Sequence, residues 1–176
     1  MTSIAYDTEF LEDGKTIELI SIGMVREDGN EYYAVSLDMP LDRIEAHQWL
    51  RANVVPSLPL RGGAPLLWDR GHRDFRHVKT RAQIAREVRD FILGVPDPQL
   101  WAWYSSYDHV ALAQLFGPMI SLPDGIPMWT NDLRQEAERL GNPALPALAG
   151  GAQHNALHDA REVAARLSWL RERASA

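Results

Sequence analysis

Cysteine is absent from all 176 residues. Disulfides, thiolate zinc sites and a cysteine nucleophile are therefore excluded. The absence fits a reducing compartment, and a cytoplasmic location is the expectation. No apolar run is long enough to span a bilayer, so no membrane association is expected. The N-terminus lacks a basic segment followed by an apolar core, and no signal peptide is expected. Excess positive charge is missing too. The 18 Lys and Arg are outnumbered by 24 Asp and Glu, for a net charge of −6. That balance argues against non-specific attraction to nucleic acid. There is no internal repeat and no low-complexity tract.

What is present reads as a globular chain. A hydrophobic content of 45% with 24% charged residues suits a soluble core-forming protein. The length suits one domain, residues 1–176. The charge is unevenly spread. Residues 61–89 hold eight Lys or Arg against three acids, +5 locally, which leaves −11 for the remainder. A basic segment in an acidic chain suits a phosphodiester substrate; a solvated basic helix and loop is the alternative.

The pattern of elements starts with a short strand, Ile4-Ala5-Tyr6-Asp7-Thr8-Glu9-Phe10. Asp-Gly turns at 13–14 and 28–29 separate it from β-prone runs at 17–25 and 31–37, which predicts an antiparallel meander. A short helix is expected over 42–53. Residues 54–79 carry Pro56, Pro59, Gly62, Gly63, Pro65 and Gly71 and read as an irregular basic arm. Thr80 and Gln83 form a capping-box pattern ahead of Ile84, Val88, Phe91 and Ile92 at helical spacing. An aromatic strand at 100–104, a helix over 110–116, a short strand at 128–130 and a helix capped by Asn131 or Asp132 follow. A loop is expected over 143–153. A last helix over 156–173 places Ala156, Ala160, Val163, Leu167 and Leu170 on one stripe. The order predicts an α/β fold with a mixed five-stranded sheet flanked by helices.

Acids on these elements are the candidate chemistry. Asp7 and Glu9 alternate onto the same strand face. Two like charges so placed need either a cation between them or a strand end open to water. Thr8 lies between them on the other face and is expected to pack inward and hold the strand. Asp108 stands at a strand-to-helix junction, where an N-cap and a site residue are both expected. Asp159 is less ambiguous, because it sits beside the apolar stripe of the last helix and needs a partner or a metal. His154, just before that helix, has the chemistry of a general base that activates water. Four acids holding two divalent ions would suit in-line attack on a phosphodiester.

Asp7-Thr8-Glu9 on a first strand, Tyr107-Asp108 after a mid-chain strand and His154-x₄-Asp159 on a last helix resemble the three motifs of the DEDDh 3′→5′ exonucleases. The order matches, and the motifs span nearly the whole chain. The length and the Trp-, Arg- and His-rich insertion before Thr80 look most like the RNase T-like exoribonucleases of actinobacteria called RNase AS. The resemblance implies an RNase H-like fold. It implies Asp7, Glu9, Asp108 and Asp159 as ligands of two Mg²⁺ or Mn²⁺ ions, and His154 as the general base. His158 and His109 receive no catalytic role. Many relatives carry Asn where Tyr104 stands, a departure that bears on substrate contacts and not on the ligands. The implied partners are an RNA 3′ end, including adenylate-rich tails or 3′ overhangs, and a second copy in a homodimer; the products are nucleoside monophosphates.

Phe10 is the candidate substrate-binding residue. It points to the face opposite Glu9 in a regular strand, where core packing competes with stacking on a terminal base. Trp101 and Trp103 share a strand face and read as core. A DNA 3′→5′ exonuclease is the rival activity, since nothing in the sequence reads a 2′-hydroxyl. A catalytically silent nucleic-acid-binding module is the other.

Overall fold

The computed structural model describes residues 1–147 and 154–174. Residues 148–153, part of the loop expected over 143–153, lie outside the described residues. The chain is mixed α/β. Strands β1 (Thr2–Glu12), β2 (Ile17–Arg26) and β3 (Glu31–Ser36) form the expected meander. Helices α1 (Leu41–Ala46) and α2 (Gln48–Asn53) follow. The helix expected over 42–53 thus breaks at His47, whose extended backbone ends α1 and whose Nδ1 accepts from the Leu50 N–H at 3.3 Å to start α2.

The arm is less irregular than its prolines and glycines suggest. Strands β4 (Leu60–Arg61) and β5 (Leu67–Trp68) pair with each other. Strand β6 (Val78–Lys79) then adds to the main sheet, parallel to β3. Next come α3 (Arg81–Leu93), β7 (Pro98–Ala102), α4 (Ser106–Ala113), β8 (Asn131–Asp132), α5 (Leu133–Arg139) and α6 (Ala156–Ala174). Thr80 and Gln83 make the predicted capping box. The short strand lies at β8 rather than at 128–130, where Trp129 is largely exposed. Counting β6, the sheet has six strands in the order β6-β3-β2-β1-β7-β8, one more than expected. Two-residue strands carry no alternation signal, which is why β6 was not legible. Antiparallel and parallel pairing coexist in this sheet, in a topology compatible with an RNase H-like fold.

Alternation along β1 builds two layers. Ile4 and Tyr6 pack with Ile84, Val88 and Ile92 of α3 and Leu112 of α4. Ala5 packs on the other face with Leu133 of α5 and Val163, Leu167 and Leu170 of α6. Each large aliphatic side chain so buried contributes roughly 1.5–3 kcal/mol. The predicted α6 stripe is therefore the stripe that meets the sheet. No helix among the described residues is long and apolar enough to cross a membrane.

Candidate active site

β1 is paired unequally along its two edges. Against β2 it is paired from Ile4 to Glu12. Against β7 the pairing stops at Ala5, opposite Trp101. Beyond that point the chain leaves β7, passes through Tyr104 at φ +55° and enters α4. Among the described residues, the β1 edge from Tyr6 onward is thus left without a strand neighbour on that side. A cleft of about 360 Å³ opens there, and residues from both faces of β1 line it.

Asp108 closes part of this edge. It sits in the first turn of α4, while Ser105 occupies the N-cap position, so the N-cap reading of Asp108 is set aside. Its Oδ1 accepts from the Thr8 backbone N–H at 2.8 Å and from Thr8 Oγ1 at 2.6 Å. The carboxylate takes the place of the missing strand and satisfies a backbone donor that would otherwise be buried unpaired. Thr8 therefore does more than hold the strand: both of its donors aim Asp108. Beneath this contact, Tyr6 Oη and His109 Nδ1 both meet Thr130 Oγ1, at 2.6 and 3.0 Å. His109 is a support, as expected.

Asp7 and Glu9 share the face covered by α6. Directly across from Asp7 in the register is Gly23 of β2. A Cβ on Gly23 would lie 2.3 Å from the Ala156 carbonyl oxygen and from Leu157 Cα. Only the missing side chain lets the first turn of α6 rest directly on the strand. That contact brings Asp159 and His154 over the acids of β1.

His154 has φ +62°, and its backbone is tied at both ends. Its N–H donates to Asp159 Oδ2 at 3.1 Å, and its carbonyl accepts from Ser57 Oγ at 2.6 Å. The ring stands edge-on to Trp49 of α2, 4.9 Å between centroids. Its Nδ1 is 4.0 Å from Glu9 Oε1. Donor atoms of Glu9, His154 and Asp159 all lie within 4.8 Å of one another, close enough to share one cation. His158, by contrast, lines a different cleft.

The electrostatics point the same way. Glu9 is 8% exposed, and burial with the charges of Asp159 and Asp108 pushes its carboxyl up to about 8. Asp7 is raised well above the carboxylate range by burial and by Asp108, Glu9 and Asp159. Asp108 is raised to about 6 by burial, against the opposing pull of the Thr8 hydrogen bonds. Burial also raises Asp159, while the neighbouring His158 and His154 pull it down. Four carboxyl groups crowded so that each resists ionisation form a site that a divalent cation relieves. Oxygen donors with one imidazole suit a hard or borderline cation. The residues fit the implied metal.

The rim carries aromatic groups. Phe10 faces away from Glu9, as alternation requires, yet reaches the same cleft because the cleft wraps the open strand edge. Its ring stacks on Tyr107 of α4 at 5.8 Å and 6°. Trp103 lies past the end of β7 and lines the cleft, with the Arg166 guanidinium 5.3 Å from its ring centroid. It is not purely core, whereas Trp101 packs beside the α5–α6 layer as expected. Glu162 and Arg166 also line the cleft. They were missed from sequence, although they follow Asp159 by three and seven residues on the same helix face. Trp49 had no sequence signal tying it to the acids, and Tyr107 was marked only as the neighbour of Asp108 in the second motif.

An α/β sheet with a carboxylate-lined cleft at the carboxyl end of β7, a histidine at its wall and aromatic rings at its rim makes a candidate hydrolytic site. Two curated proteins narrow it. The chain is 46% identical over 159 residues to the 3′-5′ exoribonuclease Rv2179c of Mycobacterium tuberculosis (strain ATCC 25618 / H37Rv), covering 89% of this chain and 86% of the relative. The same figures hold for the 3′-5′ exoribonuclease MT2234.1 of strain CDC 1551 / Oshkosh. The chain belongs to this family of 3′-5′ exoribonucleases. No family model matches it.

Proposed function

We propose that this protein is a metal-dependent 3′→5′ exoribonuclease of the DEDDh type, releasing nucleoside monophosphates from RNA 3′ ends. The observation that carries the reading is the convergence of Asp7, Glu9, Asp108, His154 and Asp159 on one cleft. The family membership supports it. Asp7, Glu9, Asp108 and Asp159 would hold two Mg²⁺ or Mn²⁺ ions. When bound, the ions neutralise the acids, polarise the scissile phosphate and acidify water. His154 takes the proton of the attacking water, and its place is kept by the Asp159, Ser57 and Trp49 contacts. Asp108 is held in one orientation by the two Thr8 donors, which limits the reorganisation needed during turnover. Phe10 and Tyr107 offer a flat face for the terminal base, with stacking of about 1–3 kcal/mol. The adenylate-rich substrate, the homodimer and the cytoplasmic location belong to the same proposal and rest on the resemblance.

The test is digestion of end-labelled RNA and DNA oligonucleotides with Mg²⁺ or with EDTA. The expected result is metal-dependent shortening from the 3′ end, with mononucleotides released and RNA preferred. His154→Ala removes most turnover and His158→Ala does not. Activity that survives EDTA, or internal cuts as the main product, refutes the mechanism. Equal damage from the two histidine variants refutes the assignment of the base.

A further inference from the structure

On the far side of the His154–Asn155 turn lies a second cleft of about 470 Å³. Its walls come from two distant parts of the chain. The basic arm supplies His72, Arg73, Arg76 and His77, and the first turns of α6 supply His158 and Arg161. The two clefts share a wall, because His154 lines the first and Asn155, the next residue, lines the second.

The cations here are incompletely neutralised. Arg161 is held bidentately by Glu31, both bonds at 2.6 Å. Asp74 is shared between Arg73 at 3.5 Å and His72 at 3.9 Å. Arg76 Nε donates to the ring Nε2 of His77 at 3.1 Å, a neutral partner. Burial and the neighbouring Arg76 push the His77 imidazole below its usual range, which keeps it neutral. Arg73 and Arg76 are both exposed. The remainder of the chain outside 61–89 carries strong negative charge, so this concentration is local and directed. Guanidinium forks matched to oxyanions are the chemistry of phosphate binding. Arginines brought into one cleft from two parts of the chain, three of them against Asp74 and Glu31, suit a polyanion better than a single phosphate.

We propose that this cleft binds the phosphodiester backbone of the RNA upstream of its 3′ end, with Arg73 and Arg76 as the principal contacts. The proposal rests on the exoribonuclease reading. A strand whose 3′ nucleotide lies over the carboxylates passes the His154–Asn155 turn and enters the basic cleft. Arg73 and Arg76 touch the strand away from the scissile bond, so they govern affinity for longer RNA.

The test measures binding in EDTA, where no hydrolysis occurs. Fluorescence anisotropy compares a 5′-labelled RNA 12-mer with a labelled trinucleotide between 50 and 200 mM KCl. The full-length protein and its Arg73→Ala/Arg76→Ala variant are compared, with Arg70→Ala/Arg86→Ala as a matched charge control outside the cleft. In the cleft variant the ratio of 12-mer to trinucleotide affinity falls about tenfold, as expected for two lost charge-assisted contacts. The slope of log K against log[KCl] for the 12-mer falls by about 1.4, near 0.7 for each phosphate contact of a single strand. The control variant keeps the ratio. Four results overturn the proposal: an unchanged ratio, the same loss in the control, displacement of the 12-mer by millimolar inorganic phosphate as readily as by unlabelled RNA, or a halved solution mass that reveals a protein interface instead. If the wild type fails to degrade RNA but the length-dependent, salt-sensitive binding persists, the exoribonuclease reading fails and the cleft assignment stands.

Discussion

Without divalent metal, this protein loses stability as the pH rises through the range in which Glu9 should ionise. The folded state holds the Glu9 carboxyl at about 8, against an ordinary 4.5. Between those limits the folded chain keeps a proton that the unfolded chain has released, so stability falls with rising pH. Each pH unit in the window costs about 1.4 kcal/mol. From pH 4.5 to pH 7 the loss is therefore on the order of 3 kcal/mol. For a chain of this size that corresponds to roughly 6–12 °C in Tm. Asp7, Asp108 and Asp159 are displaced in the same direction and reinforce the trend. Acids displaced downward, such as Asp28 beside Arg26 and Glu31 beside Arg161, lose their contribution as pH falls below the window. Thermal unfolding followed by circular dichroism at pH 5, 6, 7 and 8, in EDTA and in Mg²⁺, measures the effect. Mg²⁺ binds the ionised carboxylates, so its stabilisation is larger at pH 8 than at pH 5. Asp159→Asn removes the largest neighbouring-charge influence on Glu9 and flattens the metal-free slope. A metal-free Tm that rises from pH 5 to pH 8, or a Mg²⁺ increment equal at both ends, refutes the reasoning.

Three substitutions probe the scaffold. Gly23→Ala forces the first turn of α6 off β2, because the new Cβ would meet backbone atoms at 2.3 Å. We expect about 1–3 kcal/mol of destabilisation in urea and on the order of 100-fold lower turnover from the displaced site; wild-type rates would show that the helix rests elsewhere. Thr8→Val keeps the backbone bond to Asp108 and removes the hydroxyl one. Stability drops by about 1–2 kcal/mol, and the acidic limb of the pH–rate profile moves to higher pH; an unmoved limb means that Thr8 does not tune Asp108. Tyr107→Ala removes the ring stacked on Phe10 and raises KM for RNA by roughly 5–30-fold, from stacking of about 1–2 kcal/mol, with kcat less affected; a loss confined to kcat contradicts a base platform.

Alternation on β1 placed Asp7 and Glu9 on one face, and the stripe on α6 placed Asp159 against the sheet. Both are short-range periodicities that one strand or one helix imposes on its own residues, so both were legible in the sequence. The capping box at Thr80 and the meander turns belong to the same class. Asp108 was ambiguous, because a helix N-terminus and a site look alike until the neighbour across the gap is known. That neighbour is Thr8, 100 residues away in the chain. The short strand β6, the stacking of Tyr107 on Phe10 and the seat of Trp49 beside His154 were equally invisible, since each depends on where separate segments dock. Phe10 shows the limit most plainly. Its sequence position alone sends it away from the acids, and that is the direction it takes. Only the early end of β7 leaves the β1 edge open, so that side chains from opposite faces meet in one cleft. The sequence by itself determined which face of each element Asp7, Glu9 and Asp159 occupy, because that follows from local period and side-chain type. The tertiary structure decided which of them meet, because that depends on where β7 stops, where Gly23 lets α6 descend, and how the basic arm folds back against it.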